Sequence, residues 1–230
     1  MTPVLEVAGL SFGYDARPVL DNISFRIDAG ESVGLLGANG SGKSTLLWCI
    51  AGLLRASGTV RLYGEPPGRA GRTRVGMVFQ NPEDQLFMPT LVQDLALPLV
   101  NAGVHPKEAR RLAVERLRAS GLDRQLDEPA THLSLGQRKR AVIALAMMRE
   151  AGLLILDEPT AELDGRSVRQ LTAALRGIAA AKLIASHHLD FLRATVSRIL
   201  VLCEAGIMAE GQAATVLDDA ALLDRARRRK

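Results

Sequence analysis

Cysteine is scarce in this 230-residue chain, with Cys49 and Cys203 the only two. Both sit inside apolar runs without metal-ligand spacing, which argues against a disulfide framework or a zinc site and predicts buried free thiols. Long hydrophobic runs are missing too. The longest, Leu46–Leu54 and Ala141–Met148, fall well short of the roughly 18 residues that a membrane span needs, so any membrane role is peripheral. The opening MTPVLEVAGLSF lacks a charged segment followed by an apolar core, and a cytosolic protein is expected. No internal repeat or low-complexity tract occurs. Net charge is only +4. The most basic stretch, RARRRK at Arg225 to Lys230, has no aromatics interleaved and reads as a solvated tail rather than a grip on nucleic acid or anionic lipid. At 47% hydrophobic content the rest is an ordered globular chain with ample material for a core.

What is present is most specific between Gly37 and Thr45, where the chain reads GANGSGKST. This is the phosphate-loop pattern, in which glycines let backbone N–H groups turn inward around a nucleotide's phosphates. SVGLLG before it suits a buried strand, and KSTLLWCIAGLL after it suits a helix. Gly37, Gly40 and Gly42 allow close approach or positive φ, Lys43 brings a point charge to the β- and γ-phosphates, and Ser44 offers its hydroxyl to Mg²⁺. Asn39, Ser41 and Thr45 complete the candidate nucleotide contacts. The helix start adds its own attraction for anions.

Along the chain, VLEVAGLSFGY, ISFRI and GTVRLYG alternate as β-strands, the first two antiparallel. EPPGRAGR is a loop, and RVGMVFQ a buried strand ending at Gln80. From Asn81 to about Met148 the character turns helical, with one helix opening at Pro106 and closing at Gly121. AGLLILDEPT is an apolar strand ending in acids. A helix around Ser167 to Ala181 and strands at KLIAS and RILVLCEAG follow. Strands alternating with helices around a phosphate loop predict an α/β fold with a mostly parallel core sheet. It would carry an N-terminal antiparallel β subdomain, with residues 81–148 as an inserted helical subdomain between core segments 1–80 and 149–230.

Asp157 and Glu158 stand at the end of the apolar strand Leu153 to Leu156, where open α/β sheets gather their ligand-binding residues. Asp157 suits Mg²⁺, through water, and Glu158 suits the orientation and deprotonation of a water attacking the γ-phosphate. Without a phosphate loop in the same sheet they would read as two solvated acids.

The ordered set of GANGSGKS, Gln80, LSLGQ (Leu133 to Gln137), LLILDEP, AELD (Ala161 to Asp164) and SHH (Ser186 to His188) resembles the ATP-binding subunits of ABC transporters. LSLGQ separates this family from other phosphate-loop proteins. The resemblance covers most of the chain and implies an ATPase using ATP and Mg²⁺, with Ser44, Gln80 and Asp157 toward the metal. It implies that Ser134, Gly136 and Gln137, at a helix start, face the γ-phosphate held by a second subunit, so that ATP joins two copies in a two-fold dimer. Tyr14 would stack on adenine, Gln80 would contact the attacking water and report occupancy, His187 would hold the γ-phosphate, and Asp164 would serve in the loop after the acids. Three departures stand out: Leu135 replaces the first glycine of the usual pair, Ser186 and His188 replace a threonine and an aspartate around the histidine, and Ala161 replaces a serine. By register, His187 is the imidazole at the site.

The run QNPEDQLFMPTLVQDLALPLVNAGV (Gln80 to Val104) resembles the energy-coupling-factor group, which imports cobalt or nickel ions and vitamins such as biotin. Membership implies a peripheral subunit on the cytoplasmic face of the membrane, docked on an integral scaffold and a substrate-capture protein, with cobalt or nickel as cargo and a vitamin as the alternative. Absence of an extra domain after about Gly211 suggests a compact member. Rival readings are a soluble ABC ATPase acting on nucleic acid or the ribosome, and a non-hydrolysing ATP-binding regulator. The short insertion between Gln80 and the signature opposes the first, and Glu158 in its expected place opposes the second.

Overall fold

Residues 3–15, 17–66 and 74–227 are described by the computed structural model, apart from the side chain at 227. Most of the EPPGRAGR loop and the end of the basic tail lie outside them. The chain opens with β1 (Leu5–Tyr14) and β2 (Arg17–Ile27), followed by β3 (Ser32–Leu36), helix α1 (Lys43–Ile50) and β4 (Ser57–Leu62). Strand β5 (Val75–Val78) leads into α2 (Leu91–Asn101), α3 (Pro106–Ala119) and α4 (Leu135–Ala146). Then come β6 (Leu153–Asp157), α5 (Gly165–Arg176), β7 (Ala181–Ala185), α6 (Leu189–Thr195), β8 (Arg198–Cys203), β9 (Gly206–Gln212), α7 (Ala213–Asp218) and α8 (Ala220–Arg227).

Strands β2, β1 and β4 form an antiparallel sheet in that order. The second sheet has the order β5-β6-β7-β3-β8-β9, parallel except for the β8–β9 edge pair. Period-2 alternation divides its side chains between two apolar layers. Val33, Leu35, Leu153, Ile155, Leu200 and Leu202 face the antiparallel sheet and α1, whereas Leu154, Leu156, Ile199 and Val201 join the layer covered by the other helices. Because both faces are buried, these strands read as unbroken apolar runs. Arg198 ties the two sheets together, with Nε 2.7 Å from Glu31 Oε1 and Nη2 donating to the Arg26 carbonyl at 2.6 Å.

Two expected helices are shorter than the sequence suggests. Helix α1 stops at Ile50, not Leu54, because Gly52 turns left-handed (φ 72°) and donates to Cys49 O while Leu53 donates to Trp48 O. That pair of hydrogen bonds is the Schellman ending, which glycine permits. Helix α5 stops at Arg176, five positions before the expected Ala181, because Ala181 is already needed in β7 opposite Leu153. Ladder bonds between parallel strands override the helical preference of the alanine-rich stretch.

Candidate nucleotide-binding and hydrolysis site

Four adjacent strands, β5, β6, β7 and β3, present their carboxyl ends on one edge, where doubly wound sheets bind ligands. From β3 the chain enters the phosphate loop. A Cβ at Gly37 would lie 2.6 Å from both the Leu202 carbonyl oxygen and Ser41 Oγ, so this glycine is required for close approach. Gly42, at φ 99°, needs the left-handed freedom and occupies the N-cap of α1 without a capping side chain. The N-cap therefore supplies no side-chain acceptor to the first amides of α1. Lys43, 6% exposed, folds back to donate to the carbonyls of Gly37 and Ala38 at 3.0 and 3.1 Å, and its ammonium lies 3.6 Å from Glu158 Oε1.

At the end of β6, Asp157 is buried next to the Ser44 hydroxyl, and its Oδ1 has no hydrogen-bond partner. Burial pushes its carboxyl pKa up, reinforced by the neighbouring Glu158, while Ser44, Lys43 and Lys139 pull the other way. Glu158 adopts a left-handed φ of 43°, a strained conformation for a residue with a side chain, and donates its backbone N–H to Ala185 O at 2.9 Å. Its Oε2 lies 2.9 Å from His187 Nδ1 and accepts the His187 backbone N–H at 3.4 Å. One carboxylate thus bridges the phosphate-loop lysine and the histidine after β7.

Several sequence-selected residues lie outside this cluster. Tyr14 is 45% exposed and meets Phe12 edge-on at 4.9 Å between ring centroids. Ser134 caps α4, accepting from Gln137 N at 3.3 Å, while Gln137 Oε1 accepts from Ser134 N at 2.8 Å. This reciprocal capping box closes the signature turn on itself. Asp164 caps α5 through Ser167 N at 2.7 Å, a bond that holds its carboxyl below the usual range. The two capped turns touch, since a Cβ at Gly136 would fall 2.7 Å from Ser167 Oγ.

A family model described as ABC transporter matches residues 20–161. The chain belongs to the ABC transporter family. It is an ATPase whose hydrolysis is coupled to transport, and the family binds ATP. Curated relatives include the cobalt import ATP-binding protein CbiO and the nickel import ATP-binding protein NikO of Rhodobacter capsulatus. Each is 38% identical, covering 97% and 99% of this chain and 84% and 96% of those proteins. The energy-coupling factor transporter ATP-binding protein EcfA of Methanosphaera stadtmanae is 34% identical over 98% of this chain and 85% of its own length. Among solved structures, CbiO1 of Clostridium perfringens, part of the ABC transporter complex CbiONQ, superposes with a TM-score of 0.84 at 31% identity, over 95% of this chain and 92% of that one.

Within this ABC ATPase the structure accounts for the departures around the histidine and in the signature turn, and nothing in it explains Ala161 in place of a serine. His188 Nδ1 accepts the Phe191 N–H at 3.2 Å and so caps α6, the task for which an aspartate is well suited. Ser186 Oγ accepts the His188 N–H at 3.1 Å. Leu135 is only half-buried, whereas the tight position next to α5 is held by Gly136. Four residues are not evident from the sequence, two because their side chains reach across a turn to backbone groups and two because their partners are distant in the chain. Gln85 accepts from Phe79 N at 2.9 Å and donates to Met77 O at 2.8 Å, clamping the end of β5. Asp94 Oδ1 accepts from Phe87 N and Met88 N, both at 3.0 Å. Arg138 pairs with Glu83, and Lys139 donates to Gln80 O at 2.5 Å. Only the basic character of the stretch after LSLGQ signals the last two.

Proposed function

We propose that this ATPase powers an energy-coupling-factor-type importer, with cobalt or nickel ions as cargo, and works as a dimer of two copies closed by two shared ATP molecules. The observation that carries the hydrolytic part is Glu158 poised between Lys43 and His187 beside the phosphate loop. In this reading the loop residues Gly37, Asn39, Gly40, Ser41, Gly42, Lys43, Ser44 and Thr45 hold the phosphates, and Tyr14 stacks on adenine. Lys43 exchanges its loop carbonyls for β- and γ-phosphate oxygens, which frees Glu158 from the ammonium. Glu158 then takes a proton from water as the water oxygen bonds to the γ-phosphorus and the bond to the bridging oxygen breaks, releasing ADP. His187 would hold the γ-phosphate while its Nδ1 and backbone N–H orient the carboxylate, and Gln80 orients the water.

The residues fit Mg²⁺. Asp157 offers an unpartnered, buried carboxylate oxygen beside the Ser44 hydroxyl, and Gln80 is the third candidate ligand. When bound, the cation neutralises charge that develops on the phosphates.

Ser134, Gly136 and Gln137 would meet the γ-phosphate of the other copy, and Asp164 would lie at the same junction. Closing a two-state partner almost completely takes about 5.5 kcal/mol of differential binding, within reach of two shared nucleotides. Residues 81–148 would move as a unit and carry the membrane partner. There, Phe87 is 70% exposed on a turn clamped by Gln85 and Asp94. The partners are an integral scaffold and a capture protein, which places this subunit at the cytoplasmic face. No helix among the described residues is long and apolar enough to cross a membrane. The energy-coupling-factor reading is supported by the names of the relatives and by the NPEDQLF run.

Two experiments test this. Glu158→Gln should bind ATP with near-normal affinity and lose hydrolysis by about three orders of magnitude; hydrolysis at the wild-type rate would overturn the assignment. Tagged protein captured from detergent-solubilised membranes should bring small integral membrane proteins with it. Soluble or nucleic-acid partners alone would contradict the transporter placement.

A further inference from the structure

Helix α4 carries three basic residues directly after its capping turn, and each engages a different part of the molecule. Arg138 pairs with Glu83 in the turn after β5, and Arg140 Nη1 donates to Gln170 Oε1 of α5 at 2.6 Å. Lys139, between them, is only 2% exposed. Its ammonium donates to the Gln80 carbonyl at 2.5 Å and reaches the Glu158 carbonyl at 3.5 Å. The carboxylates of Glu162, Glu158 and Asp157 surround it electrostatically, and burial holds its pKa below the usual lysine range against their pull. A buried ammonium is unfavourable unless its surroundings compensate it. Two strand ends that must be held in register supply that compensation here.

We propose that Lys139 is a positioning residue for hydrolysis, which fixes Gln80 and Glu158 relative to each other and to the helix that begins at the signature turn. Glu158 needs such support because its left-handed backbone is strained, and the lysine bonds to the carbonyl of that same residue. The neighbouring Arg138–Glu83 pair reinforces the grip on the segment after Gln80. The inference deepens the proposed function and rests on its dimer. If Ser134, at the N-cap of α4, meets one ATP across the interface, Lys139 lies about 7.5 Å further along the same rigid helix, at 1.5 Å per residue. There it holds the residues that handle water at the other ATP. Helix α4 then couples the two nucleotides. Filling one site arranges the catalytic groups of the other.

Lys139→Met removes the ammonium and keeps an apolar stem. Rates are compared per folded chain, counted by titration with a fluorescent ATP analogue. We expect kcat to fall by about tenfold or more while KM for ATP changes by less than about threefold. The Hill coefficient for ATP should fall from near 2 toward about 1. Lys182→Met is the control: Lys182 is also buried, but it donates to Ile178 O and Ala180 O at 2.5 and 3.0 Å, at the far end of β7 from the site. It should lower Tm and leave kcat per folded chain and the Hill coefficient unaltered. Should Lys139→Met fail to fold, Lys139→Gln, which is shorter and uncharged, is expected to show the same fall in kcat. Wild-type kcat and Hill coefficient in either Lys139 variant would overturn the proposal, as would an equal loss in Lys182→Met. ATP-driven dimerisation of Glu158→Gln, measured alongside, checks the dimer separately, so a failure of that reading is not mistaken for a failure of this one.

Discussion

Asp157 is held where its charge is unfavourable, and the sign of that effect is testable. Its carboxyl pKa is raised by burial, so the folded protein resists ionising it more than the unfolded chain does. Stability is lost as pH climbs from the unfolded-state value through the raised folded-state value. Asp157→Asn keeps a partner for Ser44 and removes the charge. In scanning calorimetry at pH 7 without nucleotide, Tm should therefore rise, by about 2–4 °C per kcal/mol recovered. The gain should shrink as pH is lowered toward the carboxylate range, and Mg²⁺-dependent turnover should be lost. A lower Tm at pH 7 would contradict the account. The two histidines separate equally well. His188→Ala should cost roughly 1 kcal/mol through the lost cap of α6, and His188→Asp should restore it. His187→Ala should act instead on kcat, because its imidazole contacts Glu158. A chemical-denaturation series with paired ATPase rates distinguishes them.

Elements set by residue spacing within one segment are legible in the amino-acid sequence, whereas those ordered by side chains reaching across a turn or to another segment are not. The phosphate loop, the Pro106 helix start and the alternating strands follow from spacing and from glycine or proline chemistry. The turn between β5 and α2 does not. Its NPEDQLF run is ordered by Gln85 reaching back to Met77 and by Asp94 reaching back to Phe87 and Met88. Neither side chain announces its partner in the sequence. Asp94 is buried, which raises its carboxyl pKa, and the two backbone N–H donors oppose that rise. Asp94→Ala should thus strand two donors and destabilise the protein by about 1–3 kcal/mol. Hydrogen exchange at Phe87 and Met88 should accelerate selectively. Unchanged exchange there would show that the aspartate does not order the turn. The early end of α5 teaches the same lesson, since the ladder partner of Ala181 decides it, whereas α1 ends locally at a left-handed Gly52.

At the scale of the whole molecule, two apolar layers on either side of one sheet bring four strand ends to a single edge. That edge holds Lys43, Ser44, Asp157, Glu158 and His187, and Lys139 ties Gln80 to it. The α/β class and the mostly parallel sheet follow from the order of apolar runs, and the family follows from the ordered motifs. The meeting of Glu158 with both Lys43 and His187 requires the folded backbone, because 29 positions separate the glutamate from the histidine. The signature turn is closed on itself by its own capping box, and its hydroxyl accepts the Gln137 N–H within the subunit. Its proposed phosphate belongs to a second copy, which makes association the central claim. Sedimentation velocity of Glu158→Gln with Mg²⁺ and either ATP or ADP tests it most directly. The account predicts a shift from monomer to dimer with ATP alone, abolished by adding Ser134→Arg, which places a bulky cation at the signature turn. A variant that stays monomeric with saturating ATP, or dimerises equally with ADP, would contradict it.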